Sequence, residues 1–219
     1  MLIYHVSQKP FFTRKRTMIQ IVAMVLALVI IIGLSLQLGK SYLLLLAILG
    51  IVSILYNSLI NFNIPFLPLR GIPLLKVFLI AFVWAGIGVF LPFLDTPGYE
   101  MSKLVVFYLS QFLFIVAITL PFDIRDFYGD YRKNLVTFPS VVGIQATKVL
   151  SYLCLFIHSL GMLYINFRLI YLYIPVLITA FFLVKRSSAS RPNYYYLIFV
   201  DGLIILQFLS FYISHEFLM

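Results

Sequence analysis

Only one cysteine, three histidines and seven acidic residues are distributed over 219 positions. A lone Cys154 excludes a disulfide framework within the chain and the usual cysteine zinc site. His5, His158 and His215 are scattered and have no metal-ligand spacing. Charged residues make up 11% of the chain against 63% hydrophobic, with a mean hydropathy of +1.08. That balance excludes a water-soluble fold. What remains is a polytopic membrane protein, an all-α bundle of transmembrane helices, because a helix satisfies its own backbone hydrogen bonds in lipid. No cleavable signal peptide is expected. The first apolar run, behind Arg14-Lys15-Arg16, is too long for a signal core and lacks a small-residue cleavage site.

The hydropathy pattern predicts a basic tail over 1–16 and one transmembrane domain over 17–219. Seven spans are expected: Thr17–Leu36, Ser41–Tyr56, Leu74–Leu94, Lys103–Phe122, Thr147–Ile165, Leu169–Val184 and Tyr194–Ile213. The stretch Asn57–Pro73 contains Pro65, Pro68, Gly71 and Pro73 and cannot be one regular helix. An acidic loop is expected over 123–146. With the N-terminus in the cytoplasm, thirteen of the sixteen basic residues sort to the cytoplasmic side, leaving only Lys40, Lys103 and Arg168 opposite. This bias supports seven spans in that orientation. It also accounts for the net charge of +9 without nucleic acid.

Three of the seven acidic residues fall in Asp123-Ile124-Arg125-Asp126-Phe127-Tyr128-Gly129-Asp130, directly after the apolar run Leu104–Phe122. Carboxylates at the end of a membrane span are costly unless compensated. Hard oxygen ligands suit Mg²⁺, which takes one or two carboxylates and leaves positions for water and phosphate. If the helix continues, Asp123, Asp126 and Asp130 stand at i, i+3 and i+7 on one face. The plain alternative is a solvated acidic helix cap. Arg125, Arg132 and Lys133 weigh against it by making the segment mixed in charge.

The run Asp123-x-x-Asp126-x-x-x-Asp130, followed by Thr137, Pro139 and Gly143, resembles the second aspartate-rich motif of the UbiA superfamily of intramembrane prenyltransferases. Tyr56, and Leu69-Arg70-Gly71-Ile72-Pro73 leading into Lys76, look like that family's loop between its fourth and fifth helices. On this alignment Thr17–Leu36 matches the family's third helix and Tyr194–Ile213 its ninth. The family's two N-terminal helices, with a first Asn-and-Asp motif, have no counterpart before Thr17. The resemblance implies Mg²⁺-dependent transfer of a polyprenyl group from an allylic diphosphate to a hydrophobic aromatic or lipid acceptor. Asp123, Asp126 and Asp130 would then be the metal-binding and catalytic residues. Arg70, Lys76, Arg132, Lys133 and Tyr56 would bind the substrate. A bacterial inner membrane is the expected setting, with a partner chain completing the bundle. The alternative is a non-catalytic protein of the same fold that binds a lipid diphosphate or a partner chain.

Other residues have plainer readings. Asp201 lies inside the last span, where an acidic group is a functional hypothesis, or pairs with Lys185 or Arg186. His158 is expected to be a hydrogen-bonded core residue. Trp84, central in its span, is the best single residue to line a prenyl tunnel. Gly86 and Gly88 are expected to allow close helix packing.

Overall fold

The computed structural model describes residues 39–56, 74–94, 100–132, 135–166 and 169–218, with scattered helical positions between Met18 and Gly33. Side chains at 54–56, 169, 170, 172 and 214–218 lie outside what is described. So do most of the first expected span, the Pro-rich stretch 57–73 with Arg70, and Lys133. The chain divides into two compact units, Met1–Leu45 and Leu46–Met219. In the first, the described positions from 18 to 33 are helical and exposed. The second contains every side chain discussed below.

All described regular structure is helical. The order is α1 (Lys40–Tyr56), α2 (Leu75–Phe93), α3 (Met101–Arg132), α4 (Phe138–Ile165), α5 (Leu169–Arg186), a π-helical turn (Tyr195–Val200) and α6 (Asp201–Leu218). Among the described residues, four helices are long and apolar enough to cross a bilayer: α2, α3, α4 and Tyr195–Ile213. The protein is therefore an integral membrane protein. Each is built on a long apolar run, and a backbone in hydrocarbon must bond to itself.

α3 is the central helix. More than half of its most apolar stretch is buried, against 28% or less for the other three. Phe114, Ala117, Leu120 and Ile124 on α3 are fully buried, and they share the core with Val77 and Ala81 of α2, Val176 and Ala180 of α5, and Tyr196. α3 packs most closely on α4. Gly161 permits this, because a Cβ there would overlap the Ser110 hydroxyl. Gly86 does the same for α1 and α2: its open face receives the Leu49 side chain. Gly88 differs from expectation. A Cβ there would meet nothing within 4 Å, because the residue borders a cavity.

The acidic segment also departs from expectation. Instead of a loop over 123–146, helix α3 continues through Arg132 and α4 begins at Phe138. The α4 start is fixed locally. Ser140 Oγ accepts the Thr137 N–H at 2.9 Å, and Pro139 lies in the first turn, where its missing N–H costs nothing. At Gly143 the backbone leaves the helix, with φ 84° and ψ 160°, a conformation open to glycine alone. Thr147 Oγ1 caps the Gly143 carbonyl at 2.9 Å, and the helix resumes. The loop expectation reflects this glycine and the charged residues. Both are accommodated within or beside helix.

Candidate functional site

The C-terminal half of α3 carries the site. Ile115, Thr119 and Asp123 recur every four residues and form one stripe along the helix. Thr119 Oγ1 donates to the Ile115 carbonyl at 2.7 Å, two residues before Pro121, which cannot donate to the helix ladder. One turn further, Asp123 is buried, with 3% of its side chain exposed. Its Oδ1 accepts from Lys76 Nζ at 3.2 Å. Lys76 belongs to the first turn of α2, so the ion pair joins the start of α2 to the end of the apolar part of α3. Phe138 packs edge-on against Phe78, two residues from Lys76, with ring centroids 5.9 Å apart. That contact holds the start of α4 against the same end of α2. There the Thr137 hydroxyl is buried and, among the described residues, has no hydrogen-bond partner.

Asp126 pairs with its own neighbour. Arg125 Nε and Nη2 donate to its two carboxylate oxygens at 2.7 and 2.8 Å. The same guanidinium lies 5.0 Å from the Phe122 ring centroid and 5.5 Å from that of Tyr196. It also feels the negative charge of Asp201, at the start of α6. Tyr196 is held from the other side, where its hydroxyl donates to the Ser188 carbonyl at 2.8 Å and accepts the Ser188 N–H at 2.9 Å. Arg125 thus connects α3 with the π-helical turn and α6. Sequence reading offered Lys185 or Arg186 as the partner of Asp201. Instead the nearby positive charge is Arg125, because the π-helical turn that leads into α6 touches α3.

Of the expected site residues, Asp123, Asp126 and Asp130 share one continuous helix, and Lys76 meets Asp123. Arg132 lies in the exposed last turn of α3, where a cation complements the helix dipole. Arg70, Lys133 and the Tyr56 side chain lie outside the described residues. The donor set suits Mg²⁺ in kind: three hard carboxylates whose charges act on one another, Asp126 and Asp130 both repelling Asp123. Among the described residues, however, no three His, Cys, Asp or Glu side chains are gathered as a metal-binding group. Asp123 is turned toward Lys76, and Asp126 toward Arg125.

Beneath this charged end an apolar cavity of about 530 Å³ opens between α2, α3 and α6. Ile80, Trp84, Ile115, Ile118 and Ile204 form its walls, with Thr119 and Asp201 as its polar groups. Trp84, which is 54% exposed, also borders the two neighbouring cavities. The arrangement can hold an apolar chain against α3, with Thr119, one turn before Asp123, at the end of the cavity nearest the acidic segment.

Sequence reasoning passed over Arg125 as a site residue and missed the polar pair Gln111 and Gln207. The signal for Arg125 was its place between two aspartates. For the glutamines it was a single amide in each of two largely apolar spans. No family model, curated protein or solved structure matches the chain.

Proposed function

We propose that the chain is a UbiA-like intramembrane prenyltransferase of seven spans, with its N-terminus and Asp-rich segment facing the cytoplasm. One observation carries this reading. Asp123, Asp126 and Asp130 follow one another along the end of α3, immediately above an apolar cavity of about 530 Å³. A diphosphate bearing a prenyl tail needs both parts, a charged mouth and a dry groove.

In this reading Asp123, Asp126 and Asp130 would hold Mg²⁺, which when bound stabilises negative charge on a leaving diphosphate. Lys76 and Arg132, joined by Arg70, Lys133 and Tyr56, bind the diphosphate and share that work. Arg125 positions Asp126 through its two hydrogen bonds. Ile80, Ile115 and Ile204 exclude water from the allylic carbon as its C–O bond ionises. The exposed face of Trp84 is placed to shield a developing carbocation. The electron pair of the broken bond leaves with the diphosphate, and an electron-rich acceptor supplies the pair for the new bond and gives up a proton, which the departing diphosphate can take.

The test is binding of farnesyl thiolodiphosphate, an unreactive allylic analogue, to the purified protein with and without Mg²⁺. Binding should require Mg²⁺ and weaken at least tenfold in Asp126→Asn. Equal binding in excess EDTA would refute the metal site. A second reading, a lipid-diphosphate binder without turnover, draws on the ion pairs that already engage Asp123 and Asp126. It predicts binding of the analogue but no release of diphosphate from the reactive donor.

A further inference from the structure

Helices α4 and α5 enclose an outward-facing groove that ends in a cluster of cations. The inner face of α4 is engaged within the bundle. There the buried His158 ring lies 2.8 Å from the Ser110 carbonyl of α3 through Nδ1, and 2.7 Å from the Tyr173 hydroxyl of α5 through Nε2. On another face of α4, Tyr152, Leu155, Phe156 and Ser159 line an open groove of about 200 Å³, completed by Leu177 and Phe181 of α5. The Tyr152 and Phe181 rings meet across the two helices, with centroids 4.8 Å apart. Phe156 and Phe181 are exposed, so on a membrane helix the groove opens to lipid.

The same two helix faces lead to the cations. Lys148 precedes Tyr152 by four residues, and Lys185 follows Phe181 by four. Each lysine therefore stands one turn beyond the groove, on the face that lines it. The two ends meet: Lys148 Nζ donates to the Lys185 carbonyl at 2.9 Å, which closes the groove at the C-terminus of α5. Arg191 lies against the same helix end. Its Nε donates to the Arg186 carbonyl at 3.1 Å, and its guanidinium stands 5.5 Å from the Tyr195 ring centroid. The loop that carries it is tied down by the Tyr195 hydroxyl, which donates to the Leu183 carbonyl at 2.6 Å, and by the two Tyr196–Ser188 bonds. Lys185, Arg186 and Arg191 are exposed. None of the ion pairs among the described residues involves these four cations. The negative end of the α5 dipole offsets only about half a charge, so a positive surplus remains.

We propose that this corner binds one anionic phospholipid, with its headgroup phosphate among Lys148, Lys185 and Arg191 and one acyl chain in the groove. The dimensions agree. Lys148 to Ser159 is about 16 Å along the helix, roughly half of a ~30 Å hydrocarbon core. Groove and cations therefore span one leaflet, with the charges at its surface. No Asp, Glu, Lys or Arg lies between Lys148 and Arg168. Charge selects the headgroup. A zwitterionic lipid brings its own ammonium into the cluster, whereas phosphatidylglycerol brings a phosphate and hydroxyls. A soluble phosphate would leave the groove unused. Basic clusters at a membrane face attract anionic lipid by roughly fivefold per cation. Because the loop is already held, little order is lost on binding. These residues are distinct from those of the Asp-rich segment, and the inference does not depend on prenyl transfer.

The test titrates the purified full chain in detergent with dioleoyl phosphatidylglycerol or dioleoyl phosphatidylcholine, and counts bound lipid by native mass spectrometry. The two lipids share their acyl chains, so a difference between them belongs to the headgroup. One phosphatidylglycerol should bind saturably, at least tenfold more tightly than phosphatidylcholine. Two cations at roughly fivefold each are worth about 25-fold. The double variant Lys185→Gln, Arg191→Gln should therefore abolish the preference, with the far-ultraviolet circular dichroism unchanged. Lys103→Gln, at the opposite end of α3, should leave it intact. Glycerol phosphate at the same concentration should not displace the lipid. If the double variant fails to fold, Ser159→Phe serves instead: its ring occupies the groove and should weaken phosphatidylglycerol at least tenfold. Equal affinity for the two lipids would overturn the proposal. So would a preference that survives the double variant or falls equally in Lys103→Gln, displacement by glycerol phosphate, or undiminished binding in Ser159→Phe.

Discussion

Replacing Lys76 with methionine tests the ion pair that joins α2 to α3. Methionine keeps most of the apolar stem and removes only the charge. At 3.2 Å the Lys76–Asp123 attraction is about 5 kcal/mol for an effective dielectric constant of about 20. Desolvation of the two ions offsets much of this, so the intact pair contributes little net stability. Breaking it is a different matter. Asp123 has 3% of its side chain exposed, and without Lys76 its charge is buried and uncompensated. Such losses cost about 3–5 kcal/mol. Lys76 is itself 27% exposed, so water can partly replace it and the lower end applies. For a chain of this size about 3 kcal/mol lowers Tm by about 6–12 °C. The assay is thermal unfolding in detergent, followed by circular dichroism for wild type, Lys76→Met, Asp123→Asn and the double variant. The double variant should recover most of the Lys76→Met loss, because the stranded charge is gone. Strictly additive losses would refute the pairing argument.

Other positions give equally definite outcomes. Gly143→Ala forces a side chain onto φ 84° and should cost about 1–3 kcal/mol, read as a lower Tm, whereas Gly129→Ala on the exposed end of α3 should be neutral or stabilising. Gly161→Leu overpacks the α3–α4 contact at Ser110 and should cost about 1–3 kcal/mol in the same assay. Arg125→Lys keeps the charge but loses the two-point hydrogen bond to Asp126 and stacking on Phe122 and Tyr196, and should lose about 1 kcal/mol.

The helical class and the positions of α2, α3 and α4 were legible because they follow from apolar runs between charged or proline-bearing breaks. The course of one helix through Asp123, Asp126 and Asp130 was open to sequence reading as a continued helix, but the turn of Asp123 toward Lys76 and of Asp126 toward Arg125 was not. His158 was read correctly as a hydrogen-bonded core residue, because a lone polar group among apolar ones must find a partner. Residues whose partners are distant in the chain were not legible. Lys76 meets Asp123 across 47 positions, and Gln111 meets Gln207 across 96. No local pattern records either contact. The helical course of 123–132 was obscured for another reason: charge near a membrane interface reads as loop, although a helix can extend beyond the bilayer into water. Gly143 carried an equivocal signal, since the same residue that breaks a helix elsewhere is here a single kink within one.

The central claim is that the carboxylates of α3 serve prenyl transfer. It is tested most directly by following diphosphate released from radiolabelled farnesyl diphosphate by the purified protein in detergent, with and without Mg²⁺, for wild type and for Asp123→Asn, Asp126→Asn and Asp130→Asn. The account predicts Mg²⁺-dependent release by wild type and a loss of at least a hundredfold in Asp126→Asn, with its fold intact by circular dichroism. Release that is unaffected by that substitution, or absent from wild type across a range of prenyl chain lengths and acceptors, would contradict it.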